Sequence, residues 1–149
     1  MRILVINGPN INLLGIREPE IYGNKDYNAL IEYIKEVCVG VCAQVEYMQS
    51  NHEGDIVDAI QAAYGQFDGI VINPAAYTHT SIAIPDALKA VGIPAVEVHL
   101  TTPAEREDFR KVSYTSLACA KIFSGMGFEG YAKAIRYLAK NNKVDTLTE

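Results

Sequence analysis

Five short, mostly apolar runs, at residues 3–6, 44–48, 70–73, 95–98 and 121–124, alternate along this chain with stretches patterned for helices. That alternation is the strongest constraint on the fold. Near-continuous apolar strands separated by helices are the mark of a parallel sheet covered on both faces. Between the runs, residues 26–39 carry Leu30, Ile31, Ile34 and Val37 on one helical face, and residues 55–64 repeat the pattern with Ile56, Ala59, Ile60 and Ala63. Residues 81–91 read as a third helix, in which Pro85 is tolerable only near the first turn. Residues 131–140 form a fourth, amphipathic helix.

Five strands in 149 residues predict one α/β domain spanning the chain, a flavodoxin-like, doubly wound three-layer sandwich with a five-stranded parallel sheet. The polar tail from about residue 141 is expected to fray. At 49% hydrophobic and 21% charged residues the composition is that of an ordinary globular protein. A net charge of -5 with scattered basic residues argues against nucleic acid as a partner. No apolar run is long enough to span a bilayer, and the N-terminus lacks a signal-peptide pattern. Cys38, Cys42 and Cys119 are odd in number and lie in apolar surroundings, which predicts buried thiols in a reducing cytoplasm rather than a disulfide framework.

The connection after the first strand is unusually long. From Asn7-Gly8-Pro9-Asn10 to Tyr22-Gly23 no regular element is indicated, and connections of that length in compact domains are functional or disordered. Ile11, Leu13, Leu14, Ile16 and Ile21 are too apolar for disorder, so the segment reads as an active-site lid. It carries Arg17 and Tyr22, five residues apart. A tyrosine acts as a general base only if adjacent positive charge lowers its pKa from about 10, and arginine is suited to that role.

Open α/β sheets bind ligands at the carboxyl ends of their strands. Asn10, Arg17 and Tyr22 follow the first strand, and Ser50, Asn51, His52 and Glu53 follow the second. Asn73, Tyr77, Thr78 and His79 follow the third; His99, Thr101 and Thr102 follow the fourth, with Arg106 and Arg110 soon after. All three histidines thus fall on one edge, which points to a site for a small polar molecule. His52 reads as a surface residue, and His79 as a ligand contact beside Thr80 and Ser81, either of which suits a helix N-cap. His99 reads as a catalytic acid, with Glu97 on the same strand face able to orient it. Arg110 is suited to holding substrate or to a surface salt bridge.

Two patterns point elsewhere without the context they need. Gly125-Met126-Gly127-Phe128-Glu129-Gly130 matches the dinucleotide fingerprint, but it follows the last strand, so the glycines read as a tight turn. The histidines have no i, i+4 partner and no His/Cys/carboxylate cluster at metal-ligand spacing, so a metal-free mechanism is the default.

The motifs themselves resemble a known family. Asn7-Gly8-Pro9-Asn10, Leu14-Gly15, Arg17-Glu18-Pro19 and Tyr22-Gly23 resemble the opening signature of the type II 3-dehydroquinate dehydratases. Gln49-Ser50-Asn51 with Glu53-Gly54, the run from Asn73 to Ser81 with Asp86-Ala87, and Glu97-Val98-His99 with Arg106-Glu107 and Phe109-Arg110 agree in order. The resemblance implies cofactor-free dehydration of 3-dehydroquinate to 3-dehydroshikimate in the shikimate route, by trimers assembled into a dodecamer. It implies that Tyr22 takes the C2 proton, supported by Arg17, and that Asn10 holds a water that stabilises the enolate. His99, oriented by Glu97, would protonate the departing hydroxyl. Asn73, His79 and Arg110 would hold substrate hydroxyls, Leu100 and Thr101 its carboxylate, and Asp86 would reach in from a neighbouring subunit. Thr101-Thr102 stands where Ser-Asn is more usual, and Pro85 where arginine is common.

The competing class is a non-catalytic flavodoxin-like binding or signalling module. A phospho-acceptor receiver needs a carboxylate cluster after the first strand, and a flavin carrier needs a Ser/Thr/Gly phosphate loop. Asn-Gly-Pro-Asn supplies neither.

Overall fold

The computed structural model describes residues 1–16, 20, 24–102 and 107–145. They form a five-stranded parallel sheet in the order β2-β1-β3-β4-β5, from β1 (Arg2–Asn7), β2 (Gln44–Gln49), β3 (Gly69–Asn73), β4 (Ala95–His99) and β5 (Lys121–Ser124). Four helices connect them: α1 (Tyr27–Gly40), α2 (Glu53–Ala62), α3 (Ala83–Val91) and α4 (Glu129–Asp145).

Alternation along the strands builds two cores. Ile3 and Val5 of β1, with Val71, Val96 and Val98, pack against Leu30, Ile31 and Ile34 of α1 and Tyr131, Ile135 and Leu138 of α4. Leu4 and Ile6, with Ile70, Ile72 and Ala95, pack against Ile56 and Ile60 of α2 and Ile84 and Leu88 of α3. Because successive side chains point to opposite faces, Glu97 and His99 share the α2/α3 face with Ala95. β2 is an edge strand and keeps Gln44, Glu46 and Tyr47 exposed, the usual protection of an unpaired edge.

Helix ends follow side-chain chemistry. Asp26 caps α1 by accepting the Ala29 N–H at 2.8 Å. α2 begins two residues earlier than the apolar pattern indicates and stops before Tyr64; Glu53 and Asp55 in its first turn favour the earlier start. α3 starts at Ala83, with Ser81 Oγ accepting the Ile84 N–H at 3.0 Å from just outside, and Pro85 is buried in its first turn. α4 runs from Glu129 to Asp145, beyond the 131–140 pattern at both ends.

The thiol reading needs a correction. Cys38 is buried, and burial pushes its thiol up to about 11. Cys119 is half-buried, with burial and the Glu97 charge pushing its thiol up to about 12. Cys42 is exposed at φ 57° in the turn after α1, because that turn carries it away from the core.

Gly8 ties the β1 and β3 ends together. Its N–H donates to Asn73 O at 2.8 Å, and an added Cβ would stand 2.5 Å from Pro74 O. Gly8→Ala is expected to destabilise the protein by about 1–3 kcal/mol in urea denaturation, because backbone on both sides must move. Gly40→Ala, where no atom lies within 4 Å of the added Cβ, is the control and should not destabilise it.

Candidate active site

β1 is followed by α1 on one face of the sheet and β3 by α3 on the other, so the chain diverges between these two neighbouring strands. A crevice opens at such a switch point. The cleft there spans about 710 Å³, part of it open to solvent, and is lined from four segments. The post-β1 segment contributes Pro9, Asn10, Ile11, Leu13 and Leu14; the β3 end contributes Asn73, Ala75, Ala76 and His79; His99, Leu100, Thr101 and Arg110 complete the wall.

The described part of the post-β1 segment is only partly buried. Ile11 and Leu14 sink into the core, being three apart on one side of a 3₁₀ turn (Ile11–Leu13). Leu13 and Ile16 remain exposed, which corrects the expectation that every apolar residue of the segment avoids water. Gly15, at φ 83°, passes so close to Asn24 O and Asp26 that a Cβ would stand 3.3 Å and 3.2 Å away, so it packs against the backbone just before α1. Arg17 and Tyr22 lie outside the described residues, as do Ile21 and Arg106.

Asn10 adopts the left-handed conformation at φ 67°, which asparagine tolerates. Its N–H donates to Asn51 Oδ1 at 3.0 Å. The same oxygen accepts from Gln49 Nε2 at 3.1 Å, and the Tyr77 hydroxyl donates to Asn51 O at 2.7 Å. The Gln49-Ser50-Asn51 block therefore supports the cleft rather than lining it. Ser50 Oγ accepts the His52 N–H at 2.9 Å and donates to Asp55 at 2.7 Å; His52 itself is exposed at the start of α2.

Asn73 is oriented from below. The Tyr131 hydroxyl donates to Asn7 Oδ1 at 2.6 Å, so its oxygen accepts from Asn73 Nδ2 at 2.9 Å. Asn73 Oδ1 accepts the Ala75 N–H at 3.2 Å, which leaves the second Nδ2 hydrogen for a ligand. Tyr131 is fully buried, and that burial holds its phenol above the ordinary tyrosine range.

His99 Nε2 lies 2.6 Å from Glu97 Oε1. Glu97 is fully buried and His99 is 7% exposed. A carboxylate only accepts, so Nε2 carries the hydrogen and Nδ1 is the nitrogen available to a ligand. Two hydroxyls also hold Glu97: Thr78 Oγ1, which the strand-end reading collected without giving it a role, donates to Oε1 at 2.5 Å, and Ser113 Oγ, which that reading missed, lies 2.9 Å from Oε2. Thr78 belongs to the motif after β3, whereas Ser113 carries no sequence signal beyond lying three residues past Arg110.

His79 Nδ1 donates to Val112 O at 2.7 Å, which presents Nε2 to the cleft as an acceptor when the ring is neutral. Arg110 makes the salt bridge considered for it and also stands on the cleft wall. Its Nε donates to Glu107 at 2.8 Å while the side chain lines the cleft. Asp86 is exposed on α3 and does not line this chain's cleft.

The glycine-rich turn braces the wall instead of cradling a phosphate. Gly125 N–H donates to His99 O at 3.2 Å and Gly127 N–H to Leu100 O at 3.0 Å. Both glycines have positive φ, and a Cβ on Gly125 would collide with Thr102 Oγ1. Among the described residues no three His, Cys, Asp or Glu side chains stand together as a candidate metal site.

A flavodoxin-like sheet whose switch-point cleft is walled on one side by a carboxylate-supported imidazole has the groups for acid–base work on a small polar molecule. Residues 1–139 match the family model described as dehydroquinase class II. The chain is 55% identical over 144 residues to a 3-dehydroquinate dehydratase of Clostridium perfringens strain SM101, covering 96% of this chain and 99% of the relative. It is 54% identical over 138 residues to one from Clostridium acetobutylicum, covering 93% and 96%. The crystal structure of a type II dehydroquinase from Butyrivibrio crossotus superimposes with a TM-score of 0.91 at 54% identity, over 93% of this chain and 97% of that one. The chain belongs to the class II dehydroquinase family.

Tyr131→Phe tests the support of Asn73. It strands two buried polar groups, Asn73 Nδ2 and Asn7 Oδ1, and should cost about 2 kcal/mol in urea denaturation. An unchanged midpoint would show that the network contributes nothing.

Proposed function

We propose that this chain is a hydro-lyase that converts 3-dehydroquinate to 3-dehydroshikimate on the shikimate pathway, which leads to chorismate and the aromatic amino acids. The observation that carries the reading is the His99–Glu97 pair at 2.6 Å on the wall of a cleft shared with Asn10, Asn73, His79 and Arg110. It stands in a chain more than half identical to relatives named 3-dehydroquinate dehydratase.

The reaction removes a proton from C2, next to the C3 ketone, and expels the C1 hydroxyl as water. In this reading the Tyr22 phenolate takes the C2 proton, its basicity matched to the task by Arg17. The electron pair moves onto the ketone oxygen as an enolate, which a water held by Asn10 stabilises. Protonated His99 then gives its Nδ1 proton to the C1 oxygen while the enolate collapses, so the C1–O bond breaks and a conjugated enone forms. Glu97 holds the imidazolium by its other nitrogen. Asn73, His79 and Arg110 engage the hydroxyls of the substrate, and Leu100 and Thr101 its carboxylate. No step calls on a metal or another cofactor.

The assembly in this reading is a dodecamer of trimers, in which Asp86, exposed on α3, serves a neighbouring subunit's cleft. The reading also assigns the protein to the cytoplasm. Its support is three free cysteines and the absence, among the described residues, of a helix long and apolar enough to cross a membrane.

Purified protein mixed with 3-dehydroquinate in metal-free buffer should produce the ultraviolet absorbance of the enone. Tyr22→Phe should lower kcat by about a hundredfold or more, the range of a lost general base, while the circular dichroism spectrum stays unchanged. Absence of signal from the unaltered protein removes the assignment, and near-normal turnover by the variant removes Tyr22 as base. Light scattering should report a dodecamer, and a monomer at working concentration would contradict the assembly.

A further inference from the structure

Glu97 is an ionisable group with no exposure on a strand whose other members, apart from His99, are Ala95, Val96 and Val98. Burying such a polar group costs free energy unless the protein replaces its lost water with hydrogen-bond partners. Two hydroxyls and one ring N–H do so. Thr78 Oγ1 donates to Oε1 at 2.5 Å, His99 Nε2 meets the same oxygen at 2.6 Å, and Ser113 Oγ bridges Oε1 at 3.0 Å and Oε2 at 2.9 Å.

Proton accounting gives the hydroxyls a direction. Ser113 Oγ accepts the Ser116 N–H at 3.0 Å and lies 2.9 Å from Thr78 Oγ1, whose own hydrogen goes to Glu97 Oε1, so the Ser113 hydrogen has Glu97 Oε2 and Thr78 Oγ1 as its acceptors, both at 2.9 Å. Among the described residues Ser113 is the partner found for Oε2. Loss of that hydroxyl leaves one oxygen of a buried carboxylate without a donor. The same segments carry the cleft contacts. His79 follows Thr78 directly, Tyr114 N–H donates to Thr78 O at 2.8 Å, and His79 Nδ1 donates to Val112 O at 2.7 Å.

We propose that Ser113 and Thr78 are positioning residues for the acid step, a hydroxyl clamp that holds the Glu97 side chain aimed at His99 Nε2. Neither hydroxyl needs to touch substrate. Ser113 acts through Glu97 on the hydrogen bond that holds the imidazolium, so its contribution falls on turnover rather than on binding. The proposal rests on the dehydratase reading for its kinetic consequences, but the clamp has its own spectroscopic signature.

The test compares Ser113→Ala with Ser113→Thr in the full-length assembly. In Ser113→Ala, kcat with 3-dehydroquinate should fall by about tenfold, the change for one lost hydrogen bond to a charged group. KM should stay within about twofold, as for an interaction felt only in the transition state. Ser113→Thr, which restores the hydroxyl, should return kcat towards the starting value. In proton NMR the far-downfield His99 Nε2–H signal, identified by its loss in His99→Asn, should move in Ser113→Ala and return in Ser113→Thr. An unmoved signal with unchanged kcat, or a Thr variant as impaired as the Ala variant, overturns the clamp. Thr78→Val against Thr78→Ser applies the same comparison to the other hydroxyl, and serves if Ser113→Ala does not fold. If the unaltered protein shows no turnover, the dehydratase reading fails, and the proton signal alone decides the clamp.

Discussion

The divergence of the chain at the adjacent ends of β1 and β3 is the constraint on which the cleft depends. One connection leads to α1 on one face and the other to α3 on the opposite face, so no backbone fills the space between them. The two ends must still be held at a fixed separation. Gly8 does this by approaching Pro74 more closely than any side chain would permit, with its N–H on Asn73 O. Asn10, Asn73 and His79 inherit their positions from that contact, and the glycine turn after β5 performs the same service for His99 and Leu100.

Below the cleft lie two buried polar networks of different kinds. Tyr131, Asn7 and Asn73 form a neutral chain of hydrogen bonds that fixes which way one amide faces. Glu97, His99, Thr78 and Ser113 form a charged one, in which the hydroxyls replace the hydration a buried carboxylate has lost. Both are costly if half satisfied, because a low-dielectric surrounding strengthens good contacts and penalises missing ones alike. An otherwise apolar sheet carries them at the ends of its central strands, where the ligand cleft begins.

Most of the fold was legible because its signals are local. Continuous apolar runs in strands and 3.6-residue periodicity in helices depend on neighbours in sequence, and the observed strands differ from the apolar runs by at most one residue at either end. One misjudged boundary has a physical cause: α2 starts early under the favourable charge of Glu53 and Asp55. α4 extends beyond the 131–140 pattern at both ends. Exposure was read less well: Cys42, Leu13 and Ile16 are apolar or weakly polar residues that turns direct into water. The strand-end rule collected Asn10, Asn73, His79, His99 and Arg110, since in a parallel sheet every carboxyl end lies on one edge. Ser113 escaped it, because a serine in a loop has no pattern until the carboxylate it serves is seen beside it.

By itself the sequence determined the architecture and the chemistry available to it: five parallel strands, one polar edge, and an imidazole with a carboxylate two residues away on the same strand face. These follow from side-chain periodicity and residue type, which are properties of the chain order. Only the tertiary structure decided how those groups are supported. That Tyr131 sets the Asn73 amide, that the Gly125–Gly127 turn braces the His99 strand, and that Ser113 completes the Glu97 shell are contacts across the fold. Their partners are brought together by packing rather than by spacing, and donor and acceptor roles are settled only when each hydrogen has a counted destination.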